Sequence, residues 1–189
     1  MIFQCTGGGI LVPIFINSIP VPLMQDAYPV TIICSFFIHL YFPIIRDVVK
    51  LSPIFHTSVI VLYEILRAAV VVKLTAAAGK AIPASEFSFP IFGPIFCGSI
   101  AGCGGVFLPL SKGLDPIKQS GLAQPMLTAF IAATFYHLVT NLATGVIKVE
   151  QKAHVLVACF FVLHHLVTTF ASSSSSKPPV PVTQIKKEL

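Results

Sequence analysis

Residues 5–13 read CTGGGILVP, and residues 101–109 read AGCGGVFLP. The second stretch is a copy of the first. Gly8, Gly9, Pro13, Pro20 and Pro29 recur 96 positions later as Gly104, Gly105, Pro109, Pro116 and Pro125, so both copies read G-G-x3-P-x6-P-x8-P. The residues between them stay apolar in kind, Ile10-Leu11-Val12 answering Val106-Phe107-Leu108. A looser echo follows in His39-Leu40 against His137-Leu138. Five matches at one offset indicate an internal duplication.

Around this repeat the chain is short of charge. Of its 189 residues 55% are hydrophobic and 10% charged, with a mean hydropathy of +0.89, where soluble domains carry about 25% charged residues. The apolar residues fall into six blocks, near 1–17, 29–45, 53–75, 89–110, 123–146 and 153–171. Such blocks match the roughly 17–25 residues with which a helix crosses hydrocarbon, and they exceed the about 9–11 of a barrel strand. Alternation of period two is absent. The expected fold is an all-α integral membrane bundle with 1–171 as one transmembrane domain. From residue 172 the chain reads SSSSSKPPVPVTQIKKEL, a polar stretch that cannot bury a core and is expected to be a disordered tail.

The first and fourth blocks lie three crossings apart, an odd number, so the second copy enters the membrane from the opposite side and the repeat is inverted. Residues 1–45 then form the remainder of repeat one, 51–146 repeat two, and 153–171 an extra C-terminal helix. The copies are unequal, because a full helix and a longer lead precede the second Gly-Gly pair. Symmetry leads to the expectation of a seven-helix architecture whose first helix precedes Met1. No signal-peptide pattern opens the chain. With the C-terminus cytoplasmic, that side holds Arg46, Lys50, Lys112, Lys118, Lys177, Lys186 and Lys187, against Lys73, Lys80, Lys148 and Lys152 opposite. This bias favours a cytoplasmic C-terminus.

The Gly-Pro clusters are the first candidate site. Glycine is a poor helix former and a following proline removes a backbone hydrogen bond. Gly7, Gly8, Gly9 and Pro13, with Gly102, Gly104, Gly105 and Pro109, are expected to break two helices and to line a water-filled path between the repeats. The competing reading is close packing, for which Gly98 and Gly102 also supply a G-x-x-x-G face. The second candidate is the pair Glu64 and Arg67. Each would cost about 2.5–3.5 kcal/mol at a membrane helix centre, and at i and i+3 they can partner one another. They are read as lining the pathway rather than as a structural ion pair.

Other chemistry finds little support. The six histidines are scattered and read as interfacial or packed residues. The five cysteines stand singly and suggest neither a disulfide framework nor a metal site. No nucleophile motif, paired carboxylates or phosphate loop points to an enzyme, and no basic helix or aromatic platform points to nucleic acid. No cofactor is indicated by these residues.

CTGGGIL (5–11), YEILRAAVVVK (63–73) and AGCGGVFLPL (101–110) together resemble the trimeric intracellular cation (TRIC) channels, over about Cys5 to Phe170. The resemblance implies seven helices, a homotrimer in endoplasmic or sarcoplasmic reticulum membrane, and potassium conduction as counter-current to calcium release. In that family the Lys and Arg of a Lys-Glu-Val-x-Arg motif hold the phosphates of a phosphoinositide lipid. Glu64 and Arg67 fit the motif, whereas Tyr63 stands in the Lys position and Ala101 in that of a basic residue before the second glycine cluster. Lys186-Lys187-Glu188-Leu189 resembles a reticulum retrieval signal. Two rivals stand beside the channel: a secondary transporter, since carriers share inverted repeats with broken helices, and a non-conducting truncated subunit.

Overall fold

A computed structural model of the chain describes residues 2–42, 44, 51–84, 86, 88–107, 124–143 and 148–174. All regular structure among them is helical. Helix α1 spans Ile2–Phe15, α2 Val21–Met24, α3 Ala27–Tyr41, α4 Pro53–Ala81, α5 Phe92–Cys103, α6 Gln124–Leu142 and α7 Val149–Ser174. A 3₁₀ turn, Gly104–Phe107, continues α5.

The ends of these helices follow from local chemistry. Asn17 takes φ 53°, a conformation that asparagine tolerates. Ser18 N–H then donates to Pro13 O at 2.7 Å and Asn17 N–H to Ile14 O at 3.2 Å. These two bonds make a Schellman cap, which closes α1 and turns the chain into the short α2. α4 opens with Ser52 as N-cap, its hydroxyl accepting from Phe55 N–H at 3.4 Å, and with Pro53 at a position where no N–H is needed. It runs on to Ala81, past the expected end near Thr75, so Lys80 lies within the helix rather than in a loop. α7 likewise begins before and ends after its expected bounds, at Val149 and Ser174. The tail residues 175–189 are outside the described residues.

α5 is the centre of the bundle, packed against α4, α6 and α1, while α7 closes the far side against α4 and α6. Small residues set the spacing. Ala68 and Val71 of α4, Ala132 and Ala133 of α6, and Ala153 and Phe161 of α7 share one buried cluster. Val12 of α1, Leu74 and Ala78 of α4, and Cys97 and Ala101 of α5 share another. A Cβ built at Gly98 would lie 2.7 Å from Ala133 Cβ, and one at Gly102 2.6 Å from Ala129 Cβ. The G-x-x-x-G face of α5 is therefore the surface that lets α6 approach, as small-residue faces do.

The exterior is apolar. α3 contains no buried residue, although Phe36, Phe37, Leu40 and Tyr41 lie on it and are exposed. The first half of α4 presents Ile54, Phe55, Leu62 and Leu66 in the same way. Among the described residues one helix, Val149–Thr169, is long and apolar enough to cross a membrane by length and composition, and Ala27–Tyr41 and Phe92–Val106 are shorter apolar helices.

Candidate functional site

The two glycine clusters meet. A Cβ at Gly7 would stand 2.5 Å from Gly104 C and Gly105 N, and one at Gly104 would stand 2.7 Å from Gly7 C and Gly8 Cα. A Cβ at Gly8 would run into the Ala101 carbonyl. α1 and the end of α5 thus cross backbone to backbone, at residues that the 96-residue repeat relates to one another.

The break expected at Gly7-Gly8-Gly9 does not occur. α1 is helical from Ile2 to Phe15, and Pro13 sits in its last turn, where its missing N–H costs one hydrogen bond without stopping the helix. Each glycine costs about 1 kcal/mol against alanine in a helix, and here the cost is offset by the close crossing that a side chain would forbid. In the second copy the helix does change: α5 ends at Cys103 and tightens into the 3₁₀ turn at Gly104. Pro109 lies outside the described residues.

Glu64 and Arg67 also come together, at the junction of four helices. Arg67 Nη1 donates to Glu64 Oε2 at 3.3 Å. Its Nε donates to Gly102 O at 3.0 Å, and its Nη2 to Pro125 O at 2.6 Å and Thr128 Oγ1 at 3.1 Å. The Phe161 ring of α7 lies 4.6 Å from the guanidinium carbon, within cation–π range. Four of the five N–H groups of a guanidinium are engaged by protein groups, and the side chain is 12% exposed. A bidentate hold on a lipid phosphate would require displacing one of these partners, since one N–H remains. The other Glu64 oxygen, Oε1, lies 3.3 Å from His165 Nδ1. A carboxylate buried to 4% exposure is thereby held from both sides, as a buried charge requires.

No family model, curated protein or solved structure matches the chain. What the chain does has to be argued from its own residues.

A cavity of about 80 Å³ opens on the other side of the glycine crossing. Gly8, Gly9 and Ala101 form one wall, and Val70 and Leu74 of α4 form another. Tyr28 and Lys73 are the lining residues with polar ends. The sequence places Lys73 in the same helix as Arg67, and the packing of that helix brings it beside Gly8 and Gly9 of α1.

A second polar centre lies at the other end of α6. His137, 3% exposed, has its Nε2 2.6 Å from Pro90 O and its Nδ1 3.3 Å from Asn141 Nδ2. A carbonyl accepts only, so Nε2 carries the proton and Nδ1 accepts from the amide. This residue latches the segment before α5 to α6. Its repeat counterpart His39 is exposed on α3, so the echo in sequence does not extend to structure. Among the described residues no group of His, Cys, Asp or Glu is arranged to hold a metal ion.

Proposed function

We propose that the chain is a membrane-embedded, cation-permeable channel subunit of the endoplasmic reticulum, built on inverted three-helix repeats and assembled as a homotrimer. The observation that carries the reading is the crossing of Gly7 and Gly8 with Ala101 and Gly104. Two copies of one motif face each other across the middle of the bundle, as the halves of an inverted repeat do. At the glycines the contact is backbone to backbone, and it is flanked by the packing of Val12 against Leu74, Cys97 and Ala101.

The apolar exterior supports the membrane setting: Leu51, Ile54 and Phe92 are 85%, 79% and 83% exposed, α3 has no buried residue, and large exposed apolar surfaces mark membrane or protein contacts. Pro13 has no N–H and cannot donate to the Gly9 carbonyl four residues before it, one residue from the crossing glycine Gly8. A carbonyl freed in this way needs water, an ion or a protein donor. Potassium as the conducted ion, and counter-ion flux during calcium release as the role, follow from the resemblance of the glycine and Glu-x-x-Arg segments to the trimeric intracellular cation channels. The test is reconstitution in a planar bilayer under a potassium chloride gradient. Unitary steps with a reversal potential on the cation side are expected. Saturable exchange without unitary currents would replace the channel by a carrier, and flux only with a longer homologous partner would make the chain an accessory subunit.

A further inference from the structure

The cavity beside Lys73 has a composition that the conduction reading does not use. Among the described residues its walls are Gly8, Gly9, Val21, Pro22, Val70 and Leu74, and against these apolar surfaces stands one cation, Lys73. No ion pair to Lys73 forms among the described residues. Leu23 and Met24, which follow the Val21–Pro22 wall in α2, are 75% and 64% exposed and extend the apolar surface beyond the cavity.

The geometry points to a binding site for a singly charged amphiphile, a long-chain carboxylate whose head pairs with Lys73 and whose first methylenes fill the space against Val70 and Leu74. Lysine is a point charge on a flexible stem and satisfies one negative charge. A doubly charged phosphate monoester would call for arginine forks or several cations. Arg67, the nearest candidate for such a fork, is committed to Gly102, Pro125, Thr128 and Glu64. Among the described residues the lining offers no carboxylate to repel the ligand, and Tyr28 supplies a hydroxyl as a second donor. Because Gly8 and Ala101 belong both to this cavity and to the helix crossing, an occupant touches the crossing directly. Ligand affinity and the separation of the two repeats are then linked in both directions. The inference rests on the membrane reading for the source of the ligand, while the pocket chemistry stands on the residues alone.

The experiment is a calorimetric titration of sodium decanoate into the protein in neutral maltoside detergent, with protein-free micelles as blank. Methyl decanoate and inorganic phosphate serve as control ligands. One saturable site per chain is expected for decanoate, and none for phosphate. Lys73→Met should weaken binding at least tenfold and Lys73→Arg should stay within about threefold of the parent. Gly9→Leu should remove binding by filling the wall while leaving the lysine in place. Lys73 is exposed, so an unchanged unfolding midpoint is expected for its variants and separates lost binding from lost structure. Equal decanoate affinity in Lys73→Met, or equally saturable binding of methyl decanoate, overturns the site. A chain that stays monodisperse in water without detergent overturns the membrane reading instead, and the titration repeated in that buffer still decides the pocket.

Discussion

The guanidinium of Arg67 on α4 lies 4.6 Å from the centre of the Phe161 ring on α7, while its edge is bonded to α5 at Gly102 and to α6 at Pro125. One side chain therefore ties four helices, and Phe161 itself is 1% exposed. Phe161→Leu should keep most of the apolar burial and lose the ring. A fall in the detergent unfolding midpoint equivalent to about 1–3 kcal/mol is expected, combining the cation–π term with imperfect repacking. A fall as small in the Arg67→Ala variant would show that the guanidinium contributes nothing beyond ring contact.

Neighbouring glycines should behave in opposite ways. A Cβ at Gly8 collides with the Ala101 backbone, whereas one at Gly9 finds Val21 Cβ at an ordinary 3.6 Å. Gly9→Ala should be neutral or stabilising by up to about 1 kcal/mol, through helix propensity. Gly8→Ala and Gly104→Ala should each force α1 and α5 apart, lowering the unfolding midpoint and altering flux. Matching effects at Gly8 and Gly9 would mean that the crossing is looser than described.

How much of this was readable beforehand depends on the range of the interaction. Each of the six apolar blocks coincides with a helix, because burial and length act locally, although α4 runs six residues past its expected end and α5 gives way to the 3₁₀ turn at Gly104, before the expected 110; the four-residue α2 was too short to leave a pattern. The Glu64–Arg67 pair was legible from i, i+3 spacing. The rest of its setting was not, since Gly102, Pro125, Thr128 and Phe161 are separated from Arg67 by tens of residues and two of the bonds go to carbonyls that any residue type would supply. His165, read from sequence only as a packed or interfacial residue, turned out to approach Glu64. The repeat was visible in the glycines, but that the copies touch, and that α1 passes through its glycines unbroken, depends on tertiary contact overriding propensity.

His137 offers a test at the far end of the bundle. Its ring bonds Pro90 O and Asn141, and the ring of Phe89 lies edge-on at 5.7 Å. His137→Phe should preserve volume but strand the Pro90 carbonyl, a loss of about 1–3 kcal/mol for a buried polar group left unpaired. Limited proteolysis should then cut between 82 and 91 faster than in the parent. An unchanged cleavage rate would show that the latch does not hold that segment.

The Glu64–Arg67 pair decides between a counter-ion and a structural tie. If Arg67 serves only to neutralise Glu64, then Glu64→Gln and Arg67→Gln should each be harmful and their combination should recover, because no uncompensated buried charge remains. The geometry argues otherwise. Three of the four hydrogen bonds made by Arg67 go to Gly102, Pro125 and Thr128, and these are untouched by changes at Glu64. Glutamine is too short and has too few donors to replace them. Glu64→Gln should therefore cost about 1–2 kcal/mol, since an amide can still accept from Arg67. Arg67→Gln should cost about 3–5 kcal/mol by breaking a buried network. The double variant should unfold no later than Arg67→Gln alone and should conduct or gate abnormally, because the junction of α4, α5, α6 and α7 has lost its tie. The measurement is a double-mutant cycle on unfolding midpoints in detergent, paired with bilayer currents. A double variant with parental stability and parental currents would reduce Arg67 to the counter-ion of Glu64 and remove both residues from the functional site.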